Sequence, residues 1–173
     1  MIFISGAHGV GKSYFCNIVR ERLGIEYYSA SRLIEERKKE PFPANKLIKD
    51  IDENQQYLLD ALNSLRRSGK EFILDGHFCL FDTAGKITRI PRQTYIDLMP
   101  DRIILLTEDP QIIAARRFKR DGIQADVSQI QALQDAEIEY AKEISQDLSI
   151  PLEISKGASD LERIIKTLSV EGE

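Results

Sequence analysis

The sequence predicts an α/β fold: a parallel sheet of about five strands, flanked by helices in three layers. Two observations carry this. Short apolar runs alternate with longer amphipathic stretches along the 173 residues, the order that parallel crossover connections require. The run Ile103-Ile104-Leu105-Leu106 is apolar without alternation, as expected of a strand buried on both faces. At roughly 150 residues per domain, the expectation is one domain over residues 1–173.

Each element has its own reason. Strands are expected at 2–5, 25–28, 72–74, 102–106 and 151–154, where the apolar runs fall. After Ser13, the positions Phe15, Ile18, Val19 and Leu23 recur at helical spacing, and Gly24 is the stop. Residues 30–68 read as helical on either side of the break Pro41-Phe42-Pro43. The segment 76–92 has no clear period and reads as an ordered loop. Asp109-Pro110 reads as an N-cap with proline at the first helical position. Ile112, Ile113 and Phe118 would then face the sheet. From Ser128, Ile130, Leu133, Tyr140, Ala141, Ile144 and Leu148 trace one stripe of a long helix. Leu161, Ile164, Ile165 and Leu168 trace the last one.

Composition narrows the function. With 42% hydrophobic and 30% charged residues the chain belongs with folded soluble proteins. Its 24 Lys and Arg against 28 Asp and Glu give a formal charge of −4. Duplex nucleic acid requires clustered excess cations, so a nucleic-acid partner is not supported. No apolar run approaches the roughly 18 residues of a membrane span, and Met1-Ile2-Phe3-Ile4 has no signal-peptide character. Cys16 and Cys79 match no metal or redox spacing and read as reduced thiols. The expected compartment is the cytoplasm.

The strongest signal is Gly6-Ala7-His8-Gly9-Val10-Gly11-Lys12-Ser13, followed by Tyr14. It satisfies G-x-x-x-x-G-K-[ST] between an expected strand and an expected helix. Glycines let successive backbone N–H groups curl around phosphate oxygens, and the helix N-terminus adds its positive dipole end. Lys12 would reach the β- and γ-phosphates and the Ser13 hydroxyl would ligate Mg²⁺. The expectation is a nucleoside-triphosphate site. Phe72-Ile73-Leu74-Asp75 is an apolar strand ending in a carboxylate, placed to support the metal through water.

The remaining chain selects among triphosphate users. There is no N-K-x-D guanine signature, and no length for a helicase or transporter domain. Arg116-Arg117-Phe118-Lys119-Arg120-Asp121-Gly122 is cationic, and Arg116 and Arg120, four apart, share one helix face. Such forks neutralise a transferring phosphoryl group.

Several segments together resemble a known family. They are the cradle, Gly24-Ile25-Glu26-Tyr27-Tyr28 running into Ser29-Ala30-Ser31-Arg32-Leu33, and Leu74-Asp75-Gly76-His77. Thr107-Glu108-Asp109-Pro110 leading to Arg116 and Arg120, and Asp82-Thr83-Ala84-Gly85 leading to Ile90-Pro91, complete the set. The chain resembles adenylate kinases of the short-lid kind, the archaeal type and its eukaryotic nuclear counterpart. The resemblance implies a doubly wound P-loop kinase fold with Mg·ATP as donor and a nucleoside monophosphate as acceptor. It implies an acceptor-binding insertion over about 29–68, lined by Ser31, Arg32 and Arg37. His77 would lie beside Asp75, Arg116 and Arg120 in a short lid over about 116–128, and Lys156 and Gly157 at the adenine. Ser31-Arg32 stands where the family carries Gly-Asp, and Glu35 where it carries an arginine.

Other residues carry two readings. Arg89 and Arg92 flank Pro91 and either clamp an acceptor phosphate bidentately or hydrate the surface. His8 faces solvent or a neighbouring loop; His77 either polarises water or hydrogen-bonds a phosphate. Tyr27, Tyr28, Phe42 and Tyr57 fit core packing better than base stacking. The functional expectation is an ATP-dependent small-molecule kinase. Its alternative is an ATP-hydrolysing switch or assembly factor with little acceptor turnover.

Overall fold

The computed structural model describes residues 1–39, 51–67, 69–122 and 124–170. The main sheet is built from β1 (Ile2–Ser5), β2 (Glu26–Ser29), β3 (Phe72–Asp75), β6 (Arg102–Thr107) and β7 (Leu152–Lys156). All four pairings are parallel and the order is β2-β3-β1-β6-β7. Each strand falls within two residues of its expected position. The helices are α1 (Lys12–Leu23), α2 (Ala30–Lys38), α3 (Ile51–Arg66), α4 (Arg92–Leu98), α5 (Pro110–Asp121), α6 (Val127–Leu148) and α7 (Leu161–Val170).

The chain leaves β1 for β2 on one side and later adds β6 and β7 on the other. The switch point of this parallel sheet therefore lies at the carboxyl end of β1, where open α/β sheets bind ligands. Register brings the strand ends level there: Ile4 lies beside Asp75, and Asp75 beside Ser29. β1, β3 and β6 are almost entirely buried on both faces, which explains their unbroken apolar runs.

The helices begin and end where the sequence signals them. Gly24 closes α1 with its N–H donated to Arg20 O. The Asp109 carboxylate accepts from Gln111 N at 2.7 Å, and Pro110 opens α5. Asp126 caps α6 by accepting from Ser128 N at 2.8 Å. The break Pro41-Phe42-Pro43 lies outside the described residues.

Two expectations need correction. Residues 76–92 hold an antiparallel hairpin, β4 (Cys79–Phe81) with β5 (Ile87–Arg89). Its strands are three residues long, too short to show a period of two. The turn is held by Asp82, whose Oδ1 accepts N–H groups from Ala84 and Lys86, both at 2.9 Å. On α5, Ile113 is buried, but Ile112 is 43% and Phe118 61% exposed. The helix contributes a narrow face to the core, and its neighbouring positions point away.

Candidate functional site

The segment between β1 and α1 forms a backbone cradle. Gly6, Gly9 and Gly11 all have positive φ. At Gly6 a Cβ would stand 2.4 Å from Leu106 O, so no other residue fits without moving β6. Gly11 precedes α1 without any side-chain cap, leaving the first helical N–H groups directed at whatever occupies the cradle. Val10 N donates to Ala7 O at 3.1 Å and closes the turn. Ala7 is buried beneath it.

Lys12 is buried in the cradle. Its Nζ donates to Gly6 O at 2.6 Å and lies 3.8 Å from Asp75 Oδ1. Burial pushes the Asp75 carboxyl above its ordinary range, Lys12 pulls it down, and Glu137 adds to the rise. Ser13 and Tyr14 are exposed at the start of α1. Lys12, Ser13, Tyr14, Asp75, His77, Arg116 and Arg120 all border one cavity of about 860 Å³. A smaller cavity of about 260 Å³ lies across Gly11, lined by Thr107, Glu108, Arg116, Ser155 and Gly157.

α5 docks onto the cradle through Arg116 and Arg117. Arg116 donates to Val10 O and to Glu108 Oε2, each at 3.1 Å. Arg120 is exposed and donates to both Asp121 oxygens, at 2.7 and 2.5 Å. Arg117 packs its stem over Gly9. Burial and the neighbouring Arg120 lower its pKa. Glu108 is held by a reciprocal pair in which its N–H donates to Gln134 Oε1 at 3.0 Å and Gln134 Nε2 donates to its carbonyl at 2.9 Å.

His8 and His77 both line the cavity, with ring centroids 4.2 Å apart. Behind them lies a residue absent from the sequence reading, Glu137 on α6, 1% exposed. Its Oε2 accepts from the Ser5 hydroxyl. Its Oε1 accepts Phe78 N at 2.8 Å and Cys79 N at 2.9 Å, and stands 3.6 Å from His77 Nδ1. Burial raises its pKa, while those donors and Lys12 lower it. A signal existed: Glu137 interrupts the apolar stripe Leu133, Tyr140, Ala141, Ile144 on its buried side.

Four predicted acceptor residues do not come to the cavity. Arg89 reaches α6, bidentate to Glu143 at 2.8 and 3.1 Å, bonded to Glu139 at 3.0 Å, and 4.6 Å above the Tyr140 ring. Arg92 donates to Asp147 at 2.6 Å. Carboxylates of α6 draw both side chains away from the strand ends. Arg37 donates to Ser64 Oγ at 3.3 Å, and Arg32 is exposed on the outer side of α2. Ser31 lines the cavity. Gly157 borders the smaller cavity, whereas Lys156 points to solvent, its backbone N–H donated to Asp160. Asn54, Gln55 and Thr94, all buried in the cavity wall, were not anticipated.

A family model described as an AAA domain matches residues 5–134. The chain belongs to the AAA domain family. This AAA domain is 27% identical over 128 residues to an adenylate kinase of Methanoculleus marisnigri, covering 68% of this chain and 67% of that protein. Its fold matches shikimate kinase from Aquifex aeolicus with a TM-score of 0.59 at 15% identity, covering 99% and 96% of the two chains. A sugar kinase from a Janibacter species matches at 0.58 and 16% identity, covering 96% and 90%. The AAA domain thus has the P-loop kinase fold, with adenylate kinase-like relatives, and such a domain binds a nucleotide. Among the described residues no helix is long and apolar enough to cross a membrane.

Proposed function

We propose that the chain is an ATP-dependent phosphotransferase that moves the γ-phosphoryl group to a small molecule held in the large cavity. The observation that carries this is Lys12, buried between the cradle and Asp75 at the sheet's switch point. A desolvated ammonium in a nest of backbone N–H groups suits a polyphosphate and little else. Phosphoryl transfer is mostly positioning and charge neutralisation, and Lys12, Arg116 and Arg120 border the same space.

The Ser13 hydroxyl and the Asp75 carboxyl are hard oxygen donors on that cavity, a set that suits Mg²⁺. Ser13 would hold the ion directly and Asp75 through water, the ion supplying charge neutralisation on the triphosphate. The adenine would lie in the smaller cavity, where Gly157 and Thr107 stand. We place one domain over 1–173, with acceptor contacts from 29–68 and a short lid over 116–128, of which residues 40–50, 68, 123 and 171–173 lie outside the described residues. Kinship with a protein named adenylate kinase supports a nucleoside monophosphate as acceptor.

The test is incubation of the purified chain with Mg·ATP and a panel of nucleosides, sugars and nucleoside monophosphates, scoring ADP and phosphorylated acceptor. Phosphorylation of one acceptor class is the expected result. ADP release with no acceptor product would favour a hydrolysing switch instead.

A further inference from the structure

We propose that the Tyr14 ring is a stacking face for the nucleoside part of the bound nucleotide. It thereby sets the preference for a nucleotide over a bare polyphosphate. This rests on the phosphotransfer reading above and names a further residue that recognises the donor. Gly11, Tyr14 and Arg116 each border both the large cavity and the smaller one, so they form the rim that the two spaces share. A nucleotide with its phosphates in the cradle and its base in the smaller cavity has to carry its pentose across that rim.

The rim is open and firm enough for such a crossing. Gly11 adds no side chain to it, and a Cβ there would meet Arg116 Nη1 at 4.0 Å. The Arg116 guanidinium is fixed by Val10 O and Glu108 Oε2, each at 3.1 Å. Tyr14 stands in the first turn of α1, 64% exposed, while the next residue, Phe15, is fully buried. Helical periodicity thus turns Phe15 into the sheet and leaves Tyr14 outside the core.

The other five tyrosines have structural work. Tyr27, Tyr28, Tyr57, Tyr95 and Tyr140 all belong to the hydrophobic core or pack against it. Tyr14 is the tyrosine placed at the rim, on a regular helix that limits its motion. An aromatic face in that position gains by covering a base or the apolar face of a pentose. Val10, Leu106 and Leu161 line the smaller cavity and add apolar surface beside it. A bare polyphosphate draws on the cradle's N–H groups and on Lys12, but it has no ring or pentose to set on Tyr14.

The experiment measures Kd by calorimetry on the full chain, with Mg·ATP and with magnesium tripolyphosphate, for the parent, Tyr14→Ala and Tyr14→Phe. Alanine is the better helix former, so α1 is retained in the first variant. Tyr14→Ala is expected to raise the Kd of ATP roughly tenfold or more, the worth of one stacked base. Its Kd for tripolyphosphate should stay within about threefold of the parent's, as for a surface substitution. Tyr14→Phe keeps the ring and should restore ATP binding to the same margin. ATP bound as tightly by Tyr14→Ala as by the parent would overturn this inference and leave the phosphotransfer reading standing. So would equal weakening of both ligands, which assigns the loss to the cradle, or a loss shared by Tyr14→Phe, which assigns it to the hydroxyl. A parent chain that binds neither ligand would remove the phosphotransfer reading and this one with it.

Discussion

Glu137 Oε1 lies 3.6 Å from His77 Nδ1 while accepting the backbone N–H groups of Phe78 and Cys79. One buried carboxylate on α6 therefore fixes three things: the end of β1 through Ser5, the entry to the β4–β5 hairpin, and the imidazole of His77, which lines the cavity. Glu137→Ala would orphan two buried N–H groups and a hydroxyl. We expect a loss of about 3–5 kcal/mol in urea unfolding, the range for breaking a buried charged network. Glu137→Gln keeps one acceptor oxygen and should lose less than half of that. Equal stability of Glu137→Ala and the parent chain would show that the network holds nothing.

Asp75 sets a pH dependence of definite sign. Burial, only partly offset by Lys12, raises its folded pKa. A carboxyl with a raised folded pKa contributes stability that is present below its unfolded pKa, about 3.9. That contribution is lost as pH rises through the folded value. Asp75→Asn cannot titrate. The stability of Asp75→Asn relative to the parent should therefore climb between pH 4 and neutrality while turnover falls, as read by denaturant unfolding across that range. A difference flat with pH would contradict the raised pKa.

Lys12→Met preserves the stem in its buried slot and removes the ammonium that bonds Gly6 O and faces Asp75. The cradle's N–H groups remain, so residual nucleotide binding is expected. Turnover should fall by roughly 100-fold or more, as for removal of one preorganised charge stabiliser. Isothermal titration with ATP and a steady-state assay separate the two effects. Full turnover in Lys12→Met would displace Lys12 from the site.

The sheet and the glycine cradle after β1 were readable in the sequence because their causes are local. A strand buried on both faces must be apolar throughout, as 103–106 is, and a phosphate cradle needs its glycines at fixed spacing. The positions of Arg89 and Arg92 were not readable, because they depend on which long side chains reach which partners. Arg89 and Arg92 sit beside Pro91 in sequence, but α6, some 50 residues on, supplies the carboxylates that capture them. Glu137 was hidden for the same reason. Its partners Ser5 and Phe78 lie 132 and 59 residues away. The hairpin was missed because three-residue strands carry no period.

Arg116 and Arg120 of α5, alike in sequence, separate in the structure. Arg116 is tied to Val10 O of the cradle and to Glu108, and it borders both cavities. Arg120 holds no cradle atom; it pairs with the adjacent Asp121 while lining the large cavity alone of the two. Exposed pairs between neighbours are weak, so exchanging Asp121 for a triphosphate oxygen costs little. Arg116→Ala should thus act mainly on ATP, raising its Kd about tenfold by loosening the cradle and the base cavity together. Arg120→Ala should leave ATP affinity within about threefold and lower kcat by roughly 100-fold or more, because it removes a contact made to the developing charge. Calorimetric Kd and steady-state kcat on both variants test this. If the two variants show the same pattern, α5 carries one undivided cationic face, and the distinction drawn from their partners fails.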